Sequence, residues 1–309
     1  MRLAIGWFCL ALACVTAGPA SAGNDTITVN GARRTYIIEA PARRPAPLVI
    51  VLHGNTQQGV DMTTRTSWPA VGRREQLVMV YPDGLNKAWA DFRSDSKRAG
   101  FTPPPGTDDV GFLTALIDKL IASGTADPKR IYLTGLSNGG AMTMTMVCAR
   151  ADLLAATASV IFSLTDLADT MCRPSRPVPM LLMNGTDDPL IPYEGGKGSS
   201  DLAAGGFWST EKTFAFWKRV NGCEPEPIKA VELPDRDHAD SSTVSRLDAH
   251  CPTGRDVVLY RINGGGHRFP SFLSDARLPR LLNGMLGPQN HDIDGPEVIW
   301  AFFRKFSRP

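Results

Sequence analysis

Residues 130–140 read Arg130-Ile131-Tyr132-Leu133-Thr134-Gly135-Leu136-Ser137-Asn138-Gly139-Gly140. A strand pattern, Arg130 to Leu136, enters this stretch, and a helix-like segment, Gly140 to Arg150, leaves it. The junction Gly135-Leu136-Ser137-Asn138-Gly139 has the form G-x-S-x-G, which in a strand–turn–helix setting holds the serine in a strained backbone with its hydroxyl exposed. Glycines on both sides let strand and helix approach without Cβ clashes. The helix start adds N–H groups and positive dipole where negative charge would develop. Ser137 is therefore the candidate nucleophile; the bland alternative is a glycine-rich turn with an incidental serine. Met142, Met144 and Met146, just beyond, read as core packing.

Working outward, Leu48-Val49-Ile50-Val51-Leu52 and Leu77-Val78-Met79-Val80-Tyr81 are continuous apolar runs, as expected for strands buried on both faces. Ile131-Tyr132-Leu133, Met180-Leu181-Leu182-Met183 and Val257-Val258-Leu259-Tyr260 follow. Between them Val110, Phe112, Leu113, Leu116, Ile117, Leu120 and Ile121 recur at helical spacing, and Ile299-Trp300-Ala301-Phe302-Phe303 looks like a final helix. Strands alternating with helices predict an α/β fold with a mostly parallel central sheet and helices on both faces. Residues 26–40 predict an N-terminal antiparallel hairpin, with Asn30-Gly31 as its turn. No repeat or linker divides the rest, so residues 23–309 are expected to form one domain. Two stretches, 194–207 and 268–295, are irregular; each reads equally as a functional wall or a mobile surface loop.

The chain has 309 residues, 43% hydrophobic and 21% charged, an ordinary globular composition. Arg2, the apolar run Leu3 to Val15 and the ending Ala20-Ser21-Ala22 form a secretory signal peptide, expected to be cleaved before Gly23. The run is too short for a good membrane span, and Ala11 weakens a lipoprotein reading at Cys14. Cleavage removes one basic residue from a formal charge of +2, leaving no basic excess to attract nucleic acid or an anionic membrane. Four of the six cysteines remain after cleavage. In a secreted or periplasmic chain that implies two disulfides with three possible pairings. Cys148–Cys172 and Cys223–Cys251 are favoured, since each closes a short excursion between core elements. Zinc is not expected, because no C-x-x-C or H-x-x-x-H spacing occurs.

A serine needs a base. His267 ends Asn263-Gly264-Gly265-Gly266-His267, directly after the strand Val257 to Ile262, where a glycine-rich loop can bring an imidazole over the sheet edge. His238 and His250 lie in a polar excursion, His291 in the irregular tail, and His53 follows a strand and shapes a loop. The acid should orient the imidazole. Asp188 of Asp187-Asp188-Pro189 is chosen because proline holds the preceding residue extended; Asp187 is the reserve. For the oxyanion, the backbone N–H of Asn138 is one donor. The other comes from His53-Gly54-Asn55, with Asn55 preferred and Thr56 open. Trp68, Trp89 and Trp208 either stack a ring of the substrate or sit in the core.

Together these residues resemble the secreted polyhydroxybutyrate-depolymerase and feruloyl-esterase group of α/β-hydrolases, relatives of carbohydrate esterase family one. The resemblance runs from about Pro47 to Phe306. It rests on Leu52-His53-Gly54, Tyr81-Pro82-Asp83-Gly84, Asp108-Asp109-Val110-Gly111-Phe112, Gly135 to Gly140, Gly185-Thr186-Asp187-Asp188-Pro189 with Pro192-Tyr193, and Gly264 to His267. It implies the α/β-hydrolase fold, a triad of Ser137, Asp188 and His267, no cofactor, and the disulfide pairing favoured above. The sequence departs from the group at Arg268-Phe269-Pro270, where relatives often have Trp-Pro, and at Trp89-Ala90-Asp91, where many have Trp-Asn-Asp. The expected activity is carboxylic ester hydrolysis through an acyl-enzyme, on feruloyl or acetyl esters of polysaccharide or on hydroxybutyrate oligomers or polyester. A serine peptidase on the same fold and a non-catalytic binding protein on this scaffold are the rivals.

Overall fold

The sheet starts at a turn that needs left-handed backbone twice in succession. Asn30 (φ 49°) and Gly31 (φ 77°) supply it, as a two-residue type I′ hairpin requires. They join β1 (Ser21–Val29) to β2 (Ala32–Ala40) in antiparallel register from Val29↔Ala32 outward. The structure, a computed structural model, describes residues 21–93, 102–197, 206–225, 228–273 and 284–308. The signal segment up to residue 20 lies outside the described residues, as do 198–205 and 274–283 of the two irregular stretches.

The remaining strands are β3 (Ala46–Leu52), β4 (Val78–Pro82), β5 (Ala126–Leu136), β6 (Ala156–Val160), β7 (Met180–Gly185), β8 (Val231–Glu232), β9 (Thr243–Asp248) and β10 (Val257–Asn263). They complete one ten-stranded sheet in the order β1-β2-β4-β3-β5-β6-β7-β10-β9-β8. The run from β4 to β10 is parallel, β2 pairs antiparallel with β4, and β9 and β8 close the far side antiparallel. The polar excursion holding His238 and His250 therefore contains a second antiparallel edge.

Alternation along each strand divides the core in two. Leu48, Ile50 and Leu52 face one layer with Phe112, Leu116, Met146 and Trp217; Val49 and Val51 face the other with Trp68, Ile299 and Phe303. The first layer is covered by α3 (Asp109–Ala122), α4 (Asn138–Arg150) and α6 (Thr210–Asn221), the second by α1 (Gly59–Arg65), α2 (Trp68–Glu75) and α7 (Gly295–Phe303). Each fully buried Leu or Ile on these strands contributes about 1.5–3 kcal/mol relative to exposure. Helix starts are fixed locally: Asp108 accepts the Gly111 N–H (2.7 Å) and Ser209 accepts the Lys212 N–H (3.1 Å). Met142, Met144 and Met146 are fully buried in the core.

Both expected disulfides are present. Cys148–Cys172 ties α4 to the end of the short α5 (Ala168–Met171), and Cys223–Cys251 ties the end of α6 to the turn after β9. Among the described residues, no helix is long and apolar enough to cross a membrane.

Candidate active site

In a parallel sheet the strands end on one edge, and side chains just past those ends meet there. Ser137 follows β5, Asp188 follows β7 and His267 follows β10. Ser137 has left-handed backbone (φ 55°, ψ −116°) at the first residue before α4, a conformation a non-glycine residue holds only when its surroundings enforce it. Its N–H donates to the Val160 carbonyl (2.9 Å) and its carbonyl accepts from Ala141 (2.9 Å). Glycine is required beside it. A Cβ at position 139 would lie 2.5 Å from the Leu52 carbonyl oxygen and 2.6 Å from that of His53, both backbone atoms.

The histidine loop is laced to its neighbours by backbone bonds. Asp187 N–H donates to the Gly265 carbonyl (2.9 Å), Gly266 N–H to Pro288 (2.8 Å) and His267 N–H to Leu286 (2.6 Å). A Cβ at Gly266 would sit 2.2 Å from the Leu286 oxygen, so the glycines allow this loop to press against residues 286–288. The irregular segment 268–295 thus forms the backing of the histidine in its described part.

His267 Nε2 lies 2.9 Å from Ser137 Oγ, and His267 Nδ1 lies 2.7 Å from Asp188 Oδ2. The other carboxylate oxygen, Oδ1, accepts the N–H groups of Leu190 (2.8 Å) and Ile191 (2.9 Å). Asp188 is thereby fixed, and both it and the imidazole are at least nine-tenths buried. A carboxylate only accepts, so Nδ1 carries the proton and Nε2 is left to accept the serine hydroxyl. Asp187, the reserve, is exposed and accepts from the Thr186 hydroxyl instead.

Of the two alternatives for the second oxyanion donor, Thr56 spends its N–H on the Lys87 carbonyl (2.9 Å). Gly54 and Gln57 N–H groups are likewise used within the loop, on Gln57 Oε1 and the Gly54 carbonyl. Asn55 stays the donor preferred from the sequence, beside Asn138. His53 is fully buried beneath this loop. Its Nε2 accepts the Gly84 N–H (2.9 Å) and its Nδ1 donates to the Gly54 carbonyl (2.7 Å). Burial pushes its pKa below the ordinary value, so it is a neutral brace, as its position after a strand implied.

The other histidines are occupied elsewhere: exposed His238 pairs with Asp235 (2.9 Å), His250 with Glu224 (3.6 Å), and His291 Nδ1 donates to the Ser271 carbonyl (2.7 Å). Asp237, Asp240 and His291 bring ligand atoms within 4.8 Å of one another; this group includes none of Ser137, Asp188 and His267. Trp68, Trp89 and Trp208 are 0%, 0% and 5% exposed, which decides for core residues and against ring stacking on a substrate.

The profile of the phospholipase/carboxylesterase family matches residues 34–204, more than half of the chain and a span that includes Ser137 and Asp188. The chain belongs to that family. Among similar proteins, the putative esterase NocK of Nocardia uniformis subsp. tsuyamanensis is 28% identical over 256 residues, 79% of this chain and 73% of that protein. Feruloyl esterase B of Piromyces equi is 35% identical over 165 residues, 52% of this chain but 29% of its own longer length. Among solved structures, acetyl xylan esterase from Aspergillus awamori superposes with a TM-score of 0.58 at 14% identity, covering 92% of this chain and 99% of that one. At that identity the likeness establishes the α/β-hydrolase fold.

Sequence reading missed the residues that buttress the site from behind. Trp89, Asp91 and Arg93 carry no motif of their own, and the contacts of Trp89 and Asp91 with His53 and Asn138 span 36 to 49 residues of chain; the only signal was the departure from the group noted at Trp89-Ala90-Asp91.

Proposed function

We propose that this member of the carboxylesterase family is an exported serine esterase working through an acyl-enzyme. The observation that carries the proposal is the unbroken contact from Ser137 through His267 to Asp188 at 2.9 and 2.7 Å. Ser137 Oγ bonds to the ester carbonyl carbon while its proton passes to His267 Nε2. The carbonyl oxygen takes the negative charge, held by the N–H groups of Asn138 and Asn55. Asp188 stabilises the imidazolium. Collapse breaks the carbon–alcohol bond, and the leaving alcohol takes the proton from His267. Water then repeats the sequence in reverse roles, releasing the carboxylic acid and restoring Ser137.

The acyl group is feruloyl or acetyl, carried on a polysaccharide or a soluble fragment of one. Similarity to Feruloyl esterase B and to the bifunctional acetylxylan esterase/xylanase XynS20E of Neocallimastix patriciarum supports this choice over hydroxybutyrate esters. Residues 1–22 are the leader, cut before Gly23, and 23–309 the single catalytic domain; the two disulfides suit the oxidising compartment this implies.

The test is turnover of purified protein on 4-nitrophenyl acetate, methyl ferulate, acetylated xylan, hydroxybutyrate trimer and a peptide amide. Saturable hydrolysis of the first three is expected. Cleavage of the amide alone would reassign the protein as a peptidase, and no turnover of any would make it a binding protein. Amino-terminal sequencing of the exported product should begin at Gly23.

A further inference from the structure

A buried strap, residues 88–93, touches both loops that carry the candidate oxyanion donors. The Trp89 indole N–H donates to the His53 carbonyl (2.9 Å), at the root of the loop bearing Asn55. The Trp89 backbone N–H donates to Asn138 Oδ1 (2.7 Å), and its carbonyl accepts from Asn138 Nδ2 (3.1 Å). Asn138 Nδ2 also donates to Asp91 Oδ2 (2.7 Å), and Asp91 is gripped by Arg93 through Nε (3.0 Å) and Nη2 (2.7 Å). Farther along, Ala90 N–H donates to Asp109 (2.6 Å) and Phe92 N–H to Thr145 on α4 (3.1 Å). Trp89, Asp91 and Asn138 are all at least nine-tenths buried.

This wiring has a consequence for the transition state. Asn138 is the residue after the nucleophile, and its carboxamide is engaged at the oxygen and at the nitrogen. Its peptide therefore cannot rotate without breaking bonds to Trp89 and Asp91. The same tryptophan fixes the carbonyl of His53, so the two donor loops are held at a set separation by one side chain and its own backbone. Oxyanion donors act only when they stand within about 3 Å of the developing charge, and a fixed separation provides that without reorganisation during the reaction.

We propose that Trp89, backed by Asp91, is a positioning residue that sets the geometry of the oxyanion site by joining the Asn138 peptide to the Asn55 loop. The proposal rests on the reading of Ser137 as the nucleophile. An ester in the ground state carries little charge on its carbonyl oxygen, so a misplaced donor lowers kcat and kcat/KM together and leaves KM nearly unchanged.

The experiment compares wild type, Trp89→Phe, Asp91→Asn and Trp217→Phe. Trp217 is a fully buried tryptophan whose indole N–H has no hydrogen-bond partner among the described residues, so its substitution supplies a purely structural control. The readouts are kcat and KM on 4-nitrophenyl acetate, Tm, and inhibition by phenylboronic acid, whose serine adduct places an oxygen in the oxyanion site. Trp89→Phe should lose about 10- to 100-fold in kcat, less than or comparable to deleting a donor outright. Its KM should stay within about threefold, and its affinity for the boronate should fall in parallel with kcat. Asp91→Asn should move both readouts the same way by about tenfold. Trp217→Phe should lower Tm and leave both untouched.

An active wild type whose Trp89→Phe and Asp91→Asn variants keep kcat within about twofold overturns the positioning role, as does a kcat loss without loss of boronate affinity. If Trp89→Phe does not fold, Asp91→Asn decides by the same pair of readouts. A wild type that neither hydrolyses ester nor binds boronate overturns the nucleophile reading and this proposal with it.

Discussion

His267 Nε2 stands 2.9 Å from Ser137 Oγ across 130 residues of chain. The contact follows from parallel strand order: β5, β6, β7 and β10 are consecutive neighbours, so loops leaving β5 and β10 emerge on one edge with that of β7 between them. Ser137→Ala should lower kcat by at least about 10³-fold, and Asp188→Asn by on the order of 10⁴-fold, because an amide stabilises the wrong imidazole tautomer. Asp187→Asn, altering an exposed carboxylate, should stay within about threefold. Steady-state kinetics on a soluble ester check all three, and equal losses at 187 and 188 would contradict the assignment.

Gly139→Ala tests the tightness of the elbow. The added methyl meets two backbone oxygens, those of Leu52 and His53, at 2.5 and 2.6 Å, and neither can swing away as a side chain would. A cost of about 1–3 kcal/mol is expected, seen as a Tm lower by several degrees with activity impaired in the protein that remains folded.

His53 should remain neutral where an ordinary histidine titrates. Both ring nitrogens are engaged by backbone groups and burial disfavours the cation, so its pKa lies below the usual 6.5, whereas Asp235 raises that of exposed His238. An NMR titration should show the His53 ring signal flat near neutrality while His238 moves above pH 6.5. The unfolded chain then binds protons that folded His53 does not, so stability falls as pH drops below about 6.5 and is recovered above it. His53 titrating at or above its ordinary value would contradict the neutral-brace reading.

The disulfides close segments of 24 and 28 residues. Chain-entropy reasoning assigns each about 3 kcal/mol. Reductant should therefore lower Tm markedly, and Cys148→Ser with Cys172→Ser should cost about as much as Cys223→Ser with Cys251→Ser. Thermal melts with and without reductant check this.

Much of the fold was legible because apolar runs, helical spacing and turn chemistry are local. The Asn30-Gly31 hairpin, five of the parallel strands and the two longest core helices follow from such signals. β6, Ala156-Thr157-Ala158-Ser159-Val160, did not stand out. Its small residues lie where α4 packs closest, and a Cβ at Gly140 would already be 2.8 Å from Ser159 Oγ. β9 was hidden in a polar stretch because it pairs near the sheet edge. At the site, chain order and glycines pointed to Ser137 and His267, and Pro189 singled out Asp188 from Asp187. The bond that occupies the Thr56 N–H goes to Lys87, and the roles of the three tryptophans depended on burial. Neither is written in local sequence.

The most direct test of the central claim is mass-spectrometric peptide mapping after treatment with a fluorophosphonate. A single covalent adduct on Ser137 is predicted, absent in Ser137→Ala and formed far more slowly in His267→Ala. An unmodified Ser137 in folded protein, or an adduct at another residue, would contradict it.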